Sequence, residues 1–160
     1  MKFLIRALPI ALIFSPAWAG LSDARLESIL TEYLKMQRVL AQDATEGVDE
    51  AAAAIVDLAS SAEIAEANRE TFQEIEAAAA AIKGKGLEEA RAEFFNLSRP
   101  IMIYLHNHYS GSGDYYRFFC PMVQKGWVQD DREVRNPYHG SSMLRCGELV
   151  GEPGHGGHSH

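Results

Sequence analysis

Cysteine is scarce: Cys120 and Cys146 are the only two in 160 residues. That excludes a multi-bridge scaffold, since at most one internal disulfide can form. With no Cys-x-x-Cys, a thioredoxin-like redox centre is excluded too. Basic residues are also few, 15 against 22 acidic ones for a formal net charge of −7. They form no cluster of the kind phosphate neutralisation needs, so nucleic acid is excluded as a partner. No Gly-rich phosphate loop, Ser-His-Asp constellation or isolated carboxylate pair in an apolar setting occurs, and the pattern predicts no enzyme. The length argues for one domain rather than a multidomain assembly.

The one long apolar stretch lies at the N-terminus. Lys2 and Arg6 precede the run Leu8 to Phe14, and Ala17-Trp18-Ala19 ends in the small-x-small pattern that signal peptidase accepts. A membrane span needs ~20 apolar residues, and Arg6, Pro9 and Pro16 interrupt a shorter stretch here. Residues 1–19 therefore read as a bacterial secretory signal cleaved after Ala19, leaving Gly20 as the new N-terminus and no membrane span. No cysteine follows the small residues, which argues against a lipid anchor. Cleavage leaves 13 basic residues against 22 acidic, so an acidic, soluble protein exported to the periplasm is expected.

Residues 20–113 predict a helical bundle. From Ser22 to about Gln42, Leu26, Ile29, Leu30, Tyr33, Leu34, Met36, Val39 and Leu40 recur mostly at three- and four-residue spacing, the signature of one apolar helix face. Ser22 reads as the N-cap, with Asp23 suited to the positive end of the helix dipole. A second helix starts near Asp49 and carries Ala51 to Ala54, Ile55, Leu58 and Ala62. A third holds Phe72, Ile75 and Ala77 to Ala81 and stops at Gly84-Lys85-Gly86. A fourth runs from Leu87 through Phe94, Leu97, Ile101 and Leu105 towards Tyr109, with Pro100 predicting a kink or break. The two alanine tracts need no internal duplication, because alanine is the best helix former. Four amphipathic helices on short links predict a mainly α, up-and-down antiparallel bundle.

Composition shifts at Asp114. Residues 114–150 hold both cysteines, Met122, Met143 and Trp127, and are dense in turn formers without helical periodicity. An irregular cap packed on the bundle is expected, with Pro121 and Pro137 shaping its loops and Trp127 packing it onto the helices. Cys120 and Met122 lie two apart, and Met143 and Cys146 three apart. Thiolate with thioether is a soft donor set that favours Cu(I), and His139 adds a nitrogen. The same cysteines in an exported protein can instead oxidise to a Cys120–Cys146 disulfide, which would stabilise by about 3.5 kcal/mol on the chain-entropy model. Met122 and Met143 would then be packing residues, and no cofactor would be needed for the fold. Both alternatives stay open on the residues alone.

His155, His158 and His160 in the Gly-rich segment 151–160 form a flexible tail able to capture a divalent metal ion. His106-Asn107-His108 is a poor chelate, since residues two apart on a helix face different directions; histidines also suit a helix C-terminus. Asn96-Leu97-Ser98 fits a glycosylation acceptor but falls inside a predicted helix.

The pattern Phe119-Cys120-Pro121-Met122, Trp127, Asn136-Pro137-Tyr138-x-Gly140, Met143-x-x-Cys146-Gly147 resembles a family of uncharacterised bacterial domains. These occur as small exported proteins and as the C-terminal part of periplasmic adaptor subunits of copper and silver efflux pumps. Tyr33-Leu34 through Leu40-Ala41-Gln42-Asp43 looks like the family's opening helix, and Phe94-Phe95-Asn96-Leu97-Ser98 like a later one, so the resemblance spans about residues 24–150. It implies a helical domain in heavy-metal handling outside the cytoplasm and turns the reading towards metal: an exported Cu(I)-binding protein with Cys120, Met122, Met143 and Cys146 as ligands, the alternative being a structural module, stapled by a Cys120–Cys146 disulfide, that docks an envelope or efflux partner. Two features depart from the family. The stretch between Met122 and Trp127 is shorter, and His139 replaces what is more often an aromatic residue.

Overall fold

A computed structural model describes residues 17–61, 64–111 and 113–151, with side chains from Asp23 onward. The chain is mainly α. Helices α1 (Ala17–Ala41), α2 (Val48–Ala59), α3 (Arg69–Ile82) and α4 (Leu87–Asn107) precede strands β1 (Tyr116–Cys120), β2 (Lys125–Gln129) and β3 (Glu148–Gly151). None of the described helices is long and apolar enough to cross a membrane. The residues preceding Ala17, Ala62 and the three tail histidines lie outside the described residues.

The apolar stripe of α1 is buried as its spacing predicts, with Leu26, Ile29, Leu30, Tyr33, Met36 and Leu40 all inaccessible to solvent. Ser22 and Asp23 do not cap this helix, because α1 already begins at Ala17. Asp23 instead accepts hydrogen bonds from Tyr104 at 3.2 Å and from the Ser110 hydroxyl at 2.6 Å. Together with the Tyr33–Ser98 and Leu40–Arg91 bonds, this sets α1 and α4 side by side in opposite directions. Consecutive helices also pack against one another.

Pro100 does not break α4, which continues through it for seven more residues to Asn107. The ring removes one backbone donor, but it is itself buried against the helical core. That burial offsets part of the cost of the missing bond.

The cap is not irregular. Its frame is a three-stranded antiparallel sheet in the order β2-β1-β3. Cys120 pairs with Lys125 across a four-residue loop, and Gln124 there adopts φ 53°, the left-handed position that such loops use to turn the chain. Phe118, Cys120 and Trp127 share one face and are buried. β3 pairs with β1 through Phe118–Leu149 and Phe119–Glu148, with a bulge before Arg117–Gly151. The expected cap boundary at residue 150 thus falls inside β3. Trp127 is buried in the shared core, where it stacks on Phe118 at 5.5 Å and meets Tyr138 edge-on at 6.1 Å. Tyr138 makes the bridge, lying against Phe94 and Phe95 of α4.

The far edge of β2 is sealed by tyrosine hydroxyls. Val128 N–H donates to Tyr33 Oη at 3.1 Å, and Tyr138 Oη donates to the Gly126 carbonyl at 2.5 Å. Ser98 Oγ sits between them, 2.7 Å from Tyr33 and 3.3 Å from Tyr138. Sheet edges carry unpaired backbone groups that must find partners when buried, and two phenols supply them here. Tyr33→Phe should leave the Val128 donor orphaned, at a cost of about 1–2 kcal/mol. Chemical denaturation at constant m-value would read this as a lower midpoint, and an unchanged midpoint would show that the phenol is dispensable.

Candidate functional site

The residues singled out in the cap fall into three settings. Cys120 ends β1 and is fully buried, while Cys146 lies in the loop before β3, packed against the core. A disulfide joins them, with Cα atoms 5.7 Å apart. Met143 is one turn before Cys146, whose N–H donates to the Met143 carbonyl at 2.9 Å. Met122 lies in the β1–β2 loop and is 74% exposed, outside the buried core. His139 precedes a short 3₁₀ turn (Gly140–Ser142), where its carbonyl accepts from Ser142. The fold therefore draws the two cysteines together with Met143 close by in sequence, and leaves Met122 at the surface. Among the described residues, no three His, Cys, Asp or Glu side chains gather as a metal-holding group.

The long segment between β2 and β3 is held by two buried amides that composition does not mark. Gln129 accepts from Trp127 Nε1 at 3.0 Å and donates to the carbonyls of Asp131 and Glu133, both at 2.8 Å. Asn136 donates to the Cys146 carbonyl at 2.9 Å and accepts from Tyr138 N–H at 2.8 Å. Each amide replaces the ladder bonds that this segment lacks, as short polar side chains do in turns. On the surface, Arg135 pairs with Asp131 and Glu133, and Arg145 also reaches Glu133. Those two guanidiniums, Arg145 first, hold the Glu133 carboxyl below its usual range.

Arg91 joins the cap to the helices. Its guanidinium is buried and donates to the Pro137 carbonyl at 3.0 Å, the Leu40 carbonyl at 2.8 Å, and Asp43 at 2.5 Å. Asp43 also accepts from Ser141 N–H at 3.1 Å. The Ser141 bonds and then Arg91 bring its carboxyl down to about 2. Gly140 adopts φ 48°, and a side chain there would collide with both Asp43 and Arg91. The cap loop can approach this clamp only at a glycine.

Ionisation is suppressed in the tyrosine cluster. Burial raises Tyr33 and Tyr138 well above the ordinary phenol value, against the lowering effect of their bond to Ser98. Both hydroxyls therefore stay neutral and serve as hydrogen-bond partners. Every buried side-chain nitrogen and oxygen among the described residues has a partner. Of these, Tyr33, Tyr138 and Arg91 tie the cap to the helices, Asp23 ties α1 to α4, and Gln129 and Asn136 hold the cap itself.

Comparison with protein-family models, with curated proteins and with solved structures found no match.

Proposed function

We propose that this chain is an exported, non-catalytic interaction module, an antiparallel helical bundle whose cap is stapled by a disulfide and which docks an envelope or efflux partner. The observation that carries the reading is the Cys120–Cys146 bond, which ties the central strand to the loop before β3. Structural disulfides persist in oxidising compartments, which agrees with the signal-like first 19 residues. Removing those residues trims α1 by its first three positions and leaves its buried stripe intact.

Soft-metal handling is the second reading, and one observation favours it. The bond that stores the two sulfurs also holds them as neighbours, with Met143 one turn away from Cys146. Reduction would release two thiols already converged, a donor set suited to Cu(I). In that reading Cys120 and Cys146 supply thiolates, Met143 and Met122 thioethers, and His139 a further nitrogen. Metal binding then depends on reduction.

The test is native mass spectrometry of the mature protein exported in copper-fed cells and purified without reductant. Substitutions His155→Ala, His158→Ala and His160→Ala remove the trivial chelator. The module reading expects a metal-free mass lighter by both thiol hydrogens. A one-copper adduct with those hydrogens displaced would overturn it and establish the sulfur site.

A further inference from the structure

Asp23 is a buried carboxylate, 6% exposed, whose partners are all neutral. Oδ1 accepts from the Tyr104 hydroxyl at 3.2 Å, and Oδ2 accepts from the Ser110 hydroxyl at 2.6 Å and the Ser110 N–H at 3.3 Å. No lysine, arginine or histidine among the described residues pairs with it. A buried charge ordinarily needs a partner of opposite sign, and a carboxylate has about four acceptor positions, so these bonds leave room for one more donor. Asp23 also lines a cavity of about 320 Å³, shared with Ala65, Ala67, Asn68, Tyr104 and His108.

The chain itself can supply the cation. Hydrolysis of the Ala19–Gly20 peptide bond by signal peptidase leaves a carboxylate on Ala19 and an ammonium on Gly20, three residues before Asp23 in α1. Glycine is an accepted N-cap, and with Gly20 in that place Asp23 becomes N3 of the shortened helix. From N3 a carboxylate reaches back to the N–H of the N-cap, as in a capping box. In the processed chain that group is the α-ammonium. Its charge alone would sit unfavourably at the positive end of the α1 dipole, and a carboxylate at N3 offsets this. α4 lies antiparallel beside α1 and ends at Asn107, which brings the negative end of its dipole to the same side. The other titratable groups there are His108, on the cavity wall, and Glu27, one turn further along α1 and bonded by Tyr109 at 2.7 Å.

We propose that signal removal closes a lock between the two ends of the helical layer: the new α-ammonium of Gly20 pairs with Asp23, which Tyr104 and Ser110 already hold against the end of α4. The register is strict, because cleavage one residue earlier or later would move Asp23 to N4 or N2. The proposal rests on the export reading and on cleavage after Ala19. It is independent of what the protein docks and of whether it carries metal.

The mature chain beginning at Gly20 is compared with one carrying an extra alanine before it, each with and without Asp23→Asn. The rate at which an amine-reactive reagent labels the α-amino group, followed against pH by mass spectrometry of the N-terminal peptide, gives its pKa. The Gly20 chain should titrate at about 9, above the ordinary ~7.7–8.0, because the carboxylate favours the charged form. The extra alanine and Asp23→Asn should each return it to the ordinary range. In thermal unfolding the extra alanine should lower the midpoint by about 2–4 °C in the parent and by less than about 1 °C in Asp23→Asn. If Asp23→Asn does not fold, the extra-alanine chain, which keeps Asp23 with its Tyr104 and Ser110 bonds, carries the comparison alone. An ordinary α-amino value in the Gly20 chain would overturn the proposal, and so would a raised value that survives either change. An exported protein whose N-terminal mass does not begin at Gly20 would instead overturn the cleavage on which the proposal rests.

Discussion

Alanine at Arg91 is expected to lower the thermal midpoint by roughly 10 °C. One guanidinium serves the end of α1 through the Leu40 carbonyl, the cap through the Pro137 carbonyl, and the turn after α1 through Asp43. Its removal strands two carbonyls where three parts of the fold meet, at about 1–3 kcal/mol each. The fourth contact, to Glu88, adds little because that carboxylate is 82% exposed. A total of about 3 kcal/mol follows, and at this chain length each kcal/mol moves the midpoint by about 3 °C. Arg91→Lys should recover only part, because an ammonium cannot span the directions that a planar fork covers.

Acid offers a second reading of the same clamp. The Asp43 carboxyl titrates at about 2 in the fold instead of its ordinary 3.8. Its contribution is therefore complete above the ordinary value and is lost as pH falls from about 4 towards about 2. Asp43→Asn should flatten the pH dependence of stability in that window. A midpoint within about 2 °C of the parent for Arg91→Ala, or full recovery by lysine, would show that water replaces the guanidinium at both carbonyls.

Arg91 also shows why half of this architecture was legible and half was not. The helices announce themselves because burial follows a local period: Leu26, Ile29, Leu30 and Tyr33 are predicted on one face and lie there. An arginine on a helix carries no such mark. Nothing near position 91 in the sequence distinguishes a guanidinium that reaches Pro137 from one in solvent. Gln129 and Asn136 are hidden in the same way, since a buried amide and a solvated one look alike until its partners are known.

The strands were missed for a related reason. Tyr116 to Cys120 and Lys125 to Gln129 are rich in aromatic and β-branched residues around a four-residue loop, a readable hairpin signal. The surrounding prolines and glycines outweighed it. β3 has only four residues and owes its form to Phe118, 31 positions away, and strand formation depends on such cross-strand neighbours more than on intrinsic preference. The cysteines lay between these cases. Their spacing allowed a bridge, but their convergence requires β1 and the loop before β3 to meet, and no local pattern encodes that.

Removing the Cys120–Cys146 bond is expected to cost about 3.5 kcal/mol, the loop-closure entropy of a 26-residue separation on the chain-entropy model. The loss should not spread evenly. β2 keeps its Tyr33 bond, and α4 packs against it. β3 has only β1 on one side, and Asn136 reaches the disulfide loop through the Cys146 carbonyl. The segment from Asp130 to Gly151 should therefore open first, with the helices still folded. Trp127, the only tryptophan after the signal-like segment, reports this directly, because its ring lies against Gly147 next to the bond. In a Cys120→Ala/Cys146→Ala variant, tryptophan fluorescence should change at lower denaturant than the helical circular dichroism signal, whereas the oxidised parent should show coincident transitions. Amide exchange should quicken at Leu149 and change little at Val128, whose donor the Tyr33 hydroxyl still holds. Coincident transitions in the variant would mean that the buried amides and the Arg91 clamp fix the cap without the staple. The disulfide would then add stability to the whole domain alike, rather than deciding whether the cap is present.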